Sequence, residues 1–256
     1  MIDKRGFIAG PGQVPGLHHF NIVSSPLNAR ALPPGKHQRL RYAIWRGLKL
    51  PPRIVRQRGH GFDPKITALG GSVYLHGYWQ SERYFADFAD HIRRELTVRH
   101  APDERNEGLL RQIGEEPSIS LHIRRGDYVS NPKANAFHGT CSLDYYRRAA
   151  KLVADQTDKK PIFYVFSDEP DWAAANLKLP FDIRIVDHNG PERNYEDMRL
   201  MSACKHHVIA NSSFSWWGAW LNPSQDKIVV APQRWFADPA MSNPDILPDE
   251  WQTLAD

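Results

Sequence analysis

The sequence predicts an α/β protein whose C-terminal half is a parallel, doubly wound sheet. Three observations carry that prediction. From Ser118 onward, short apolar runs alternate with helix-patterned segments. The run Ile162–Phe166 is apolar without a break, as a strand covered on both faces should be. Polar residues gather where these runs give way to loops, the strand ends at which such sheets hold ligands.

Taken in order, residues 1 to about 70 are broken up by Pro26, Pro33, Pro34, Pro51, Pro52 and several glycines. Within them, His18–Val23 reads as a strand, and Arg39–Leu48 as a short basic helix with Leu40, Ala43, Ile44 and Leu48 at helical spacing. Ser72–Leu75 reads as a strand. A helix is expected from Ser81, carrying Phe85, Phe88, Ile92 and Leu96, and then a polar linker, Pro102–Glu116. The second half opens with a strand at Ser118–Ile123. Ser142 caps a helix carrying Tyr145, Tyr146, Ala149 and Leu152. After the strand Ile162–Phe166, Pro170 suits a first helical turn. Ile183–Val186, Val208–Ala210 and Ile228–Val230 read as strands. Asn194 is placed to cap a helix reaching Cys204, and Ser213–Leu221 reads as a helix whose Trp216, Trp217 and Trp220 belong to the core.

A chain of 256 residues holds one large domain or two modest ones, and 41 % hydrophobic with 24 % charged residues is ordinary globular composition rather than that of a disordered chain. No run of about 18 apolar residues occurs. The first residues lack the apolar centre of a signal peptide. Cys141 and Cys204 have no metal-ligand spacing and read as free thiols. Together these features place the expected protein in the cytoplasm. Net charge is +4, unevenly placed: Lys4, Arg5, Arg30, Lys36, Arg39, Arg41, Arg46, Lys49, Arg53, Arg56 and Arg58 face Asp3 alone among the first sixty residues. Such a field attracts a nucleotide, an anionic membrane surface or nucleic acid, unless acids elsewhere in the fold offset it. Few aromatics interleave with the bases, which argues against nucleic acid.

Three polar clusters follow strands. In His122-Ile123-Arg124-Arg125-Gly126-Asp127-Tyr128, two arginines and a glycine suit an anionic oxygen cluster, with Asp127 orienting an arginine; a salt-bridged turn is the alternative. In Phe166-Ser167-Asp168-Glu169, Asp168 suits a ribose or guanine contact, or a helix start. In Asn211-Ser212-Ser213-Phe214-Ser215-Trp216-Trp217-Gly218, hydroxyls at a helix start suit a phosphate, an N-cap, or both.

The three in this order, with Gly77-Tyr78-Trp79-Gln80-Ser81-Glu82-Arg83-Tyr84-Phe85 upstream and Asn194-Tyr195-Glu196-Asp197-Met198-Arg199-Leu200-Met201-Ser202 between, resemble the α-1,2-fucosyltransferases of glycosyltransferase family 11 over about residues 72 to 236. The resemblance implies a GT-B-like fold of two Rossmann-like halves: residues 1–108 on the acceptor side, 109–256 on the GDP-fucose side. It also implies inverting, metal-independent transfer of fucose to the 2-hydroxyl of a galactoside. GDP-fucose would be a donor substrate, with no cofactor. Arg124 would neutralise the departing diphosphate. His122, Arg125, Asp168, Ser212, Ser213 and Ser215 would line the donor site, and Asp127 would share the catalytic role. Asp127, Glu82 and Glu196 stay equal candidates for a general base. The family's N-terminal Gly-Gly-Leu-Gly-Asn-Gln-type turn has no counterpart in Gly10-Pro11-Gly12-Gln13, so the N-terminal half is expected to be incomplete or divergent. A non-catalytic nucleotide-sugar or glycan-binding relative is the alternative. The basic N-terminal stretch leaves room for a peripheral membrane contact.

Overall fold

The computed structural model describes residues 16–23, 34, 38–48, 50, 52–157 and 159–256. The Gly10–Gln13 segment and the breakers Pro26, Pro33 and Pro51 lie outside them. The chain divides into two compact units. Unit 1 takes in Ile22–Ala89 and Ser242–Pro248; unit 2 takes in Gly16–Asn21, Asp90–Met241 and Asp249–Asp256. They part between Ala89 and Asp90, upstream of the division after residue 108 read from the sequence.

Unit 1 holds helix α1 (Arg39–Gly47), strand β1 (Arg53–Arg56), helix α2 (Pro64–Thr67) and strand β2 (Val73–His76). β1 and β2 pair in parallel, Arg53 opposite Val73 through Arg56 opposite His76. The long helix expected from Ser81 is broken up. Ser81 does cap, its Oγ accepting from the Arg83 N–H at 3.3 Å, but the backbone makes two 3₁₀ turns, Glu82–Tyr84 and Ala86–Phe88. Helix α3 (Ala89–Glu95) starts only after them. Phe88 stays 65 % exposed, so the apolar period Phe85–Phe88–Ile92 does not mark one buried face. Asp245 ties the unit together, accepting from the Phe62 N–H at 2.8 Å and pairing with Arg83 at 2.7 Å.

Unit 2 begins with a correction. His18–Val23 is no strand: Gly16–His19 is a 3₁₀ turn, and Phe20 makes a single antiparallel bridge to Val98. The supposed linker is also structured, as helix α4 (Glu104–Glu115). Asp103 caps it, Oδ1 accepting from the Asn106 N–H at 2.9 Å, a contact worth about 1 kcal/mol. Its apolar residues are few but well spaced: Ile113 is fully buried, and Leu109 and Leu110 pack beside it.

There follow β3 (Ser118–Ile123), α5 (Gly126–Ser130), α6 (Pro132–His138), α7 (Leu143–Ala154), β4 (Ile162–Ser167), α8 (Pro170–Asn176), β5 (Asp182–Val186), α9 (Asn194–Ala203), β6 (His206–Val208), α10 (Ser213–Leu221), β7 (Val229–Pro232) and β8 (Gln252–Leu254). The Ser142 cap is present, its Oγ accepting from Tyr145 N–H at 3.0 Å. Asn194 is the first residue of its helix rather than its cap, because a 3₁₀ turn, Pro191–Arg193, leads straight in. β6 starts two residues earlier than the apolar run suggested, its ladder extended by Ile209 N–H donating to Val230 O at 2.9 Å.

Six strands form one sheet in the order β5-β4-β3-β6-β7-β8, every pair parallel. The chain starts in the middle, winds out one way, then returns to wind out the other, so β3 and β6 flank the point where the direction reverses. The period of two explains the layering. Ile119, Leu121 and Ile123 join Phe163 and Val165 against Tyr145, Tyr146, Ala149 and Val153 of α7. On the opposite face, Tyr164 and Phe166 meet Ile113 of α4 and Leu200 and Met201 of α9.

That second face of β3 is polar. Ser118 donates to Ile113 O at 2.8 Å, Ser120 Oγ meets His207 Nδ1 at 2.8 Å, and His207 Nε2 meets Asn222 Nδ2 at 2.9 Å. Burial drives the His207 pKa down to about 3, so its imidazole is neutral. The next polar residue on this face, His122, sits at the strand's end.

Candidate donor site

Strand register builds the site. Ile123 at the end of β3 lies opposite Ser167 at the end of β4, so the next residues, Arg124 and Asp168, leave the sheet side by side. On the other flank Leu121 pairs with Val208; three residues on from each stand Arg124 and Asn211. The three clusters therefore emerge along one carboxyl edge, around the reversal of winding where such sheets bind ligands.

Arg124 is bracketed by carboxylates. Its Nη2 donates to Asp127 Oδ1 at 2.6 Å, its Nη1 lies 2.9 Å from Asp168 Oδ2, and its guanidinium stands 5.3 Å from the centre of the Tyr128 ring. The side chain keeps 30 % exposure. A guanidinium carries five N–H donors, so these two partners leave donors for a ligand.

Arg125 points to other partners. Its Nε donates to Glu169 Oε2 at 2.9 Å, and its guanidinium lies 3.6 Å from the Trp172 ring centre. Its backbone N–H donates to Asp168 Oδ1 at 2.9 Å. Asp168 thus holds both arginines at once, and burial raises its pKa against the opposing pull of those two donors. The glycine between the motifs is required by this contact: a Cβ on Gly126 would lie 2.5 Å from Asp168 Oδ2.

His122 is buried, and burial with the nearby Arg124 charge lowers its pKa to about 3. It is a neutral ring, tilted against Phe214 at 5.5 Å, and its buried Nδ1 has no hydrogen-bond partner among the described residues. Around it, Tyr128 stacks on His138 at 4.4 Å. Asn211 donates to His138 O at 2.8 Å and Trp235 O at 3.2 Å, tying three loops together.

The serines divide by role. Ser212 caps α10, accepting from Phe214 N–H at 3.3 Å. Ser213 is exposed at the first helical position. Ser215 is fully buried and donates to Ala210 O at 3.1 Å and Ser212 O at 3.0 Å, so its hydroxyl is committed to the turn. The helix behind them packs tightly: Gly218 admits α9, where a Cβ would meet Met201 Cε at 2.7 Å. Trp216 and Trp220 are core residues, stacked at 6.0 Å.

A second polar group at the end of β5 is absent from the sequence reading. Asn106 is fully buried and exchanges hydrogen bonds with Asn189 at 3.0 and 3.1 Å, while His188 Nε2 meets its Oδ1 at 2.9 Å. Asn189 also donates to Asp197 Oδ1 at 2.8 Å. Burial pushes the Asp197 pKa up to about 7. Its neighbour Glu196 is buried and pairs with Arg199 Nε 3.2 Å away. The group joins the first turn of α4 to the loop after β5, and no periodicity reports it. Among the described residues, no three His, Cys, Asp or Glu side chains are arranged to hold a metal ion.

In unit 1, Trp79 adopts a left-handed backbone at φ 52°, a strained conformation for an aromatic residue. Gln57 Oε1 holds it, accepting from Tyr78 N–H at 2.8 Å and Trp79 N–H at 3.2 Å, and Tyr78 is left 81 % exposed.

The carboxyl edge of a parallel α/β sheet thus gathers arginine, carboxylate and hydroxyl groups at its reversal point. The chain belongs to glycosyl transferase family 11, whose profile matches residues 57–255. It is similar to an alpha-1,2-colitosyltransferase of Escherichia coli, 38 % identical over 195 residues, covering 74 % of this chain and 66 % of that one. It is also similar to the O-antigen biosynthesis glycosyltransferase WbnK of Escherichia coli, 45 % identical over 137 residues, covering 54 % and 44 %. The pig galactoside alpha-(1,2)-fucosyltransferase 2 is 28 % identical over 158 residues, covering 59 % and 46 %. This chain spans two thirds or less of the length of these relatives.

Proposed function

We propose that the chain transfers L-fucose from GDP-fucose to the 2-hydroxyl of a galactoside, with inversion and with unit 2 binding the donor. The observation that carries this is the convergence of Arg124, Asp168 and the Ser212–Ser213 turn at the sheet's reversal point.

In this reading the diphosphate docks on Arg124 and on the start of α10, where helix N–H groups and the Ser213 hydroxyl face an anion. Asp127 is the partner that yields. It is 56 % exposed and three residues from Arg124, and such surface pairs contribute about 0–1 kcal/mol, less than a charge-assisted phosphate contact. Asp168 stays, holding the guanidinium in register. As the glycosidic bond to phosphate breaks, charge builds on the leaving GDP, and the fixed guanidinium stabilises it without reorganising. Arg124 thereby supplies the positive charge at the leaving group, with no metal assigned to that role. Asp127, freed from Arg124, is then the carboxylate nearest to serving the acceptor hydroxyl as a base. His122 supports the motif from beneath as a neutral ring, and Arg125 anchors the loop through Glu169 and Trp172. Ser215 shapes the turn rather than touching phosphate.

The test is calorimetric titration with GDP-fucose, GDP and UDP, followed by transfer to galactosides. Binding of GDP but not UDP, with a fucosylated product, supports the reading. Binding without transfer or donor hydrolysis would instead make the chain a nucleotide-sugar-binding relative, and no binding would end the proposal. The relative named for colitose transfer favours a second donor, so nucleotide-linked colitose belongs in the same assay.

A further inference from the structure

Unit 1 carries a second concentration of arginines, unlike the first. α1 and β1 border an open cavity of about 810 Å³ lined by Arg39, Arg46, Arg53 and Arg56, with Tyr42, Trp45, Leu50 and Ile54 among them. None of these four arginines has a carboxylate partner among the described residues. The buried Trp45 indole N–H also has no acceptor among the described residues. Four guanidiniums around one space repel each other, and the arrangement is relieved by an anion.

The other side of α1 is apolar and bare. Leu40, Ile44 and Leu48 follow one another at four-residue steps and are 75, 51 and 67 % exposed. One turn of a helix is 3.6 residues, so the three form a stripe, with Arg39 and Arg41 at its margins. Leu50, 43 % exposed past the end of the helix, is not part of this stripe and lines the cavity instead.

We propose that α1 and the arginines beside it dock on an anionic phospholipid surface. The helix would lie flat, with Leu40, Ile44 and Leu48 at the level of the acyl chains and the arginines taking headgroup phosphates. Each signal alone is weak: two aliphatic side chains on a nine-residue helix and a third at its C-cap do not anchor a protein, and unaided charge is screened by salt. Their combination on one short segment distinguishes this occupant from others. A nucleic acid has phosphates but nothing to cover the aliphatic stripe. A second copy of the chain meeting this face would bring like charges together. No helix among the described residues is long and apolar enough to cross a membrane, so the contact is peripheral.

The experiment is co-sedimentation of the full chain with vesicles of phosphatidylglycerol and phosphatidylethanolamine, beside vesicles of phosphatidylcholine alone. Binding is expected to the anionic vesicles, to be weak on the neutral ones, and to fall when salt rises from about 0.02 M to about 0.5 M. Arg53→Gln with Arg56→Gln should weaken it roughly thirtyfold, two surface charges' worth. Leu40→Ser with Ile44→Ser should abolish retention while salt dependence of any residual binding persists. Unchanged unfolding midpoints in both variants show that the chain still folds. Equal binding to neutral vesicles, full retention in either variant, or salt-sensitive capture of RNA with none of vesicles would each overturn the proposal. The outcome is independent of GDP binding in unit 2.

Discussion

The two arginine clusters have the same composition and opposite surroundings. At the end of β3, Arg124 and Arg125 are met by Asp127, Asp168 and Glu169, so that two positive charges face three negative ones. Around the cavity of unit 1, four arginines face none among the described residues. Matched charges buy geometry: the guanidinium of Arg124 is held in place for one ligand atom. Unmatched charges give a field without a fixed geometry, suited to a surface. The difference teaches that counting arginines in a sequence says where anions are drawn, while the acids beside them say how precisely.

The sharpest break between the clusters comes from Arg124 itself. Arg124→Ala should weaken GDP binding by roughly 1.5–3 kcal/mol, about ten- to 150-fold by calorimetry. Arg125→Ala, which removes the contacts to Glu169 and Trp172, should lower the unfolding midpoint and leave GDP affinity within about threefold. Equal losses of GDP affinity in the two variants would erase the distinction between a binding and an anchoring arginine.

Next in size is the acid that holds both. Asp168→Ala leaves two partly buried guanidiniums without their shared partner and should destabilise unit 2 by about 1–3 kcal/mol in denaturant unfolding.

A smaller effect distinguishes matched from unmatched acids. Asp197 has its pKa raised from 3.8 to about 7 by burial and by the nearby Glu196 charge, against the hydrogen bond from Asn189. A group whose folded pKa is raised contributes stability below its unfolded pKa and loses it as pH rises through the folded one. Stability from this residue therefore falls between about pH 4 and pH 7. Asp197→Asn keeps the acceptor for Asn189 and should be the more stable protein at pH 8 by about 1–2 kcal/mol, with the gap closing at pH 5. Thermal unfolding at the two pH values checks it.

The smallest change is expected where no partner is lost. Arg39→Gln should alter the unfolding midpoint by less than about 0.5 kcal/mol equivalent, in either direction. A larger loss would reveal that the unit 1 arginines are structural after all.

Much of unit 2 was legible because it obeys simple periods. Ile162–Phe166 is apolar on both faces since helices cover both, and Ser142, Pro170 and Ser212 sit where helices start. The site's clusters were legible for the same reason, each lying just past a strand. Partnership within the site was not. That Arg125 turns to Glu169 and Trp172 while Arg124 stays near solvent depends on the β3–β4 register, which one sequence does not fix. α4 hid because Asn106 and Ile113, its two buried residues, are outnumbered by exposed polar ones. β8 hid because Gln252–Leu254 is too short to show a period. In unit 1 the apolar residues of α1 fit a helix, but helical spacing alone does not say which face finds a partner; Leu40 and Ile44 remain in solvent.

The sheet order also sets a timetable. β3 is the first strand of its sheet to leave the ribosome and is central in the finished one, flanked by β4 and β6. From Ser118 to Val208, its second neighbour arrives only after about 90 further residues, roughly 4–18 s of synthesis. During that interval one edge of β3 has no strand beside it, and its buried polar face of Ser118, Ser120 and His122 lacks His207. A nascent chain paused between these strands would expose a hydrogen-bonding edge whose unfinished face carries Ser118, Ser120 and His122, while Ile119, Leu121 and Ile123 already have α7 to pack on.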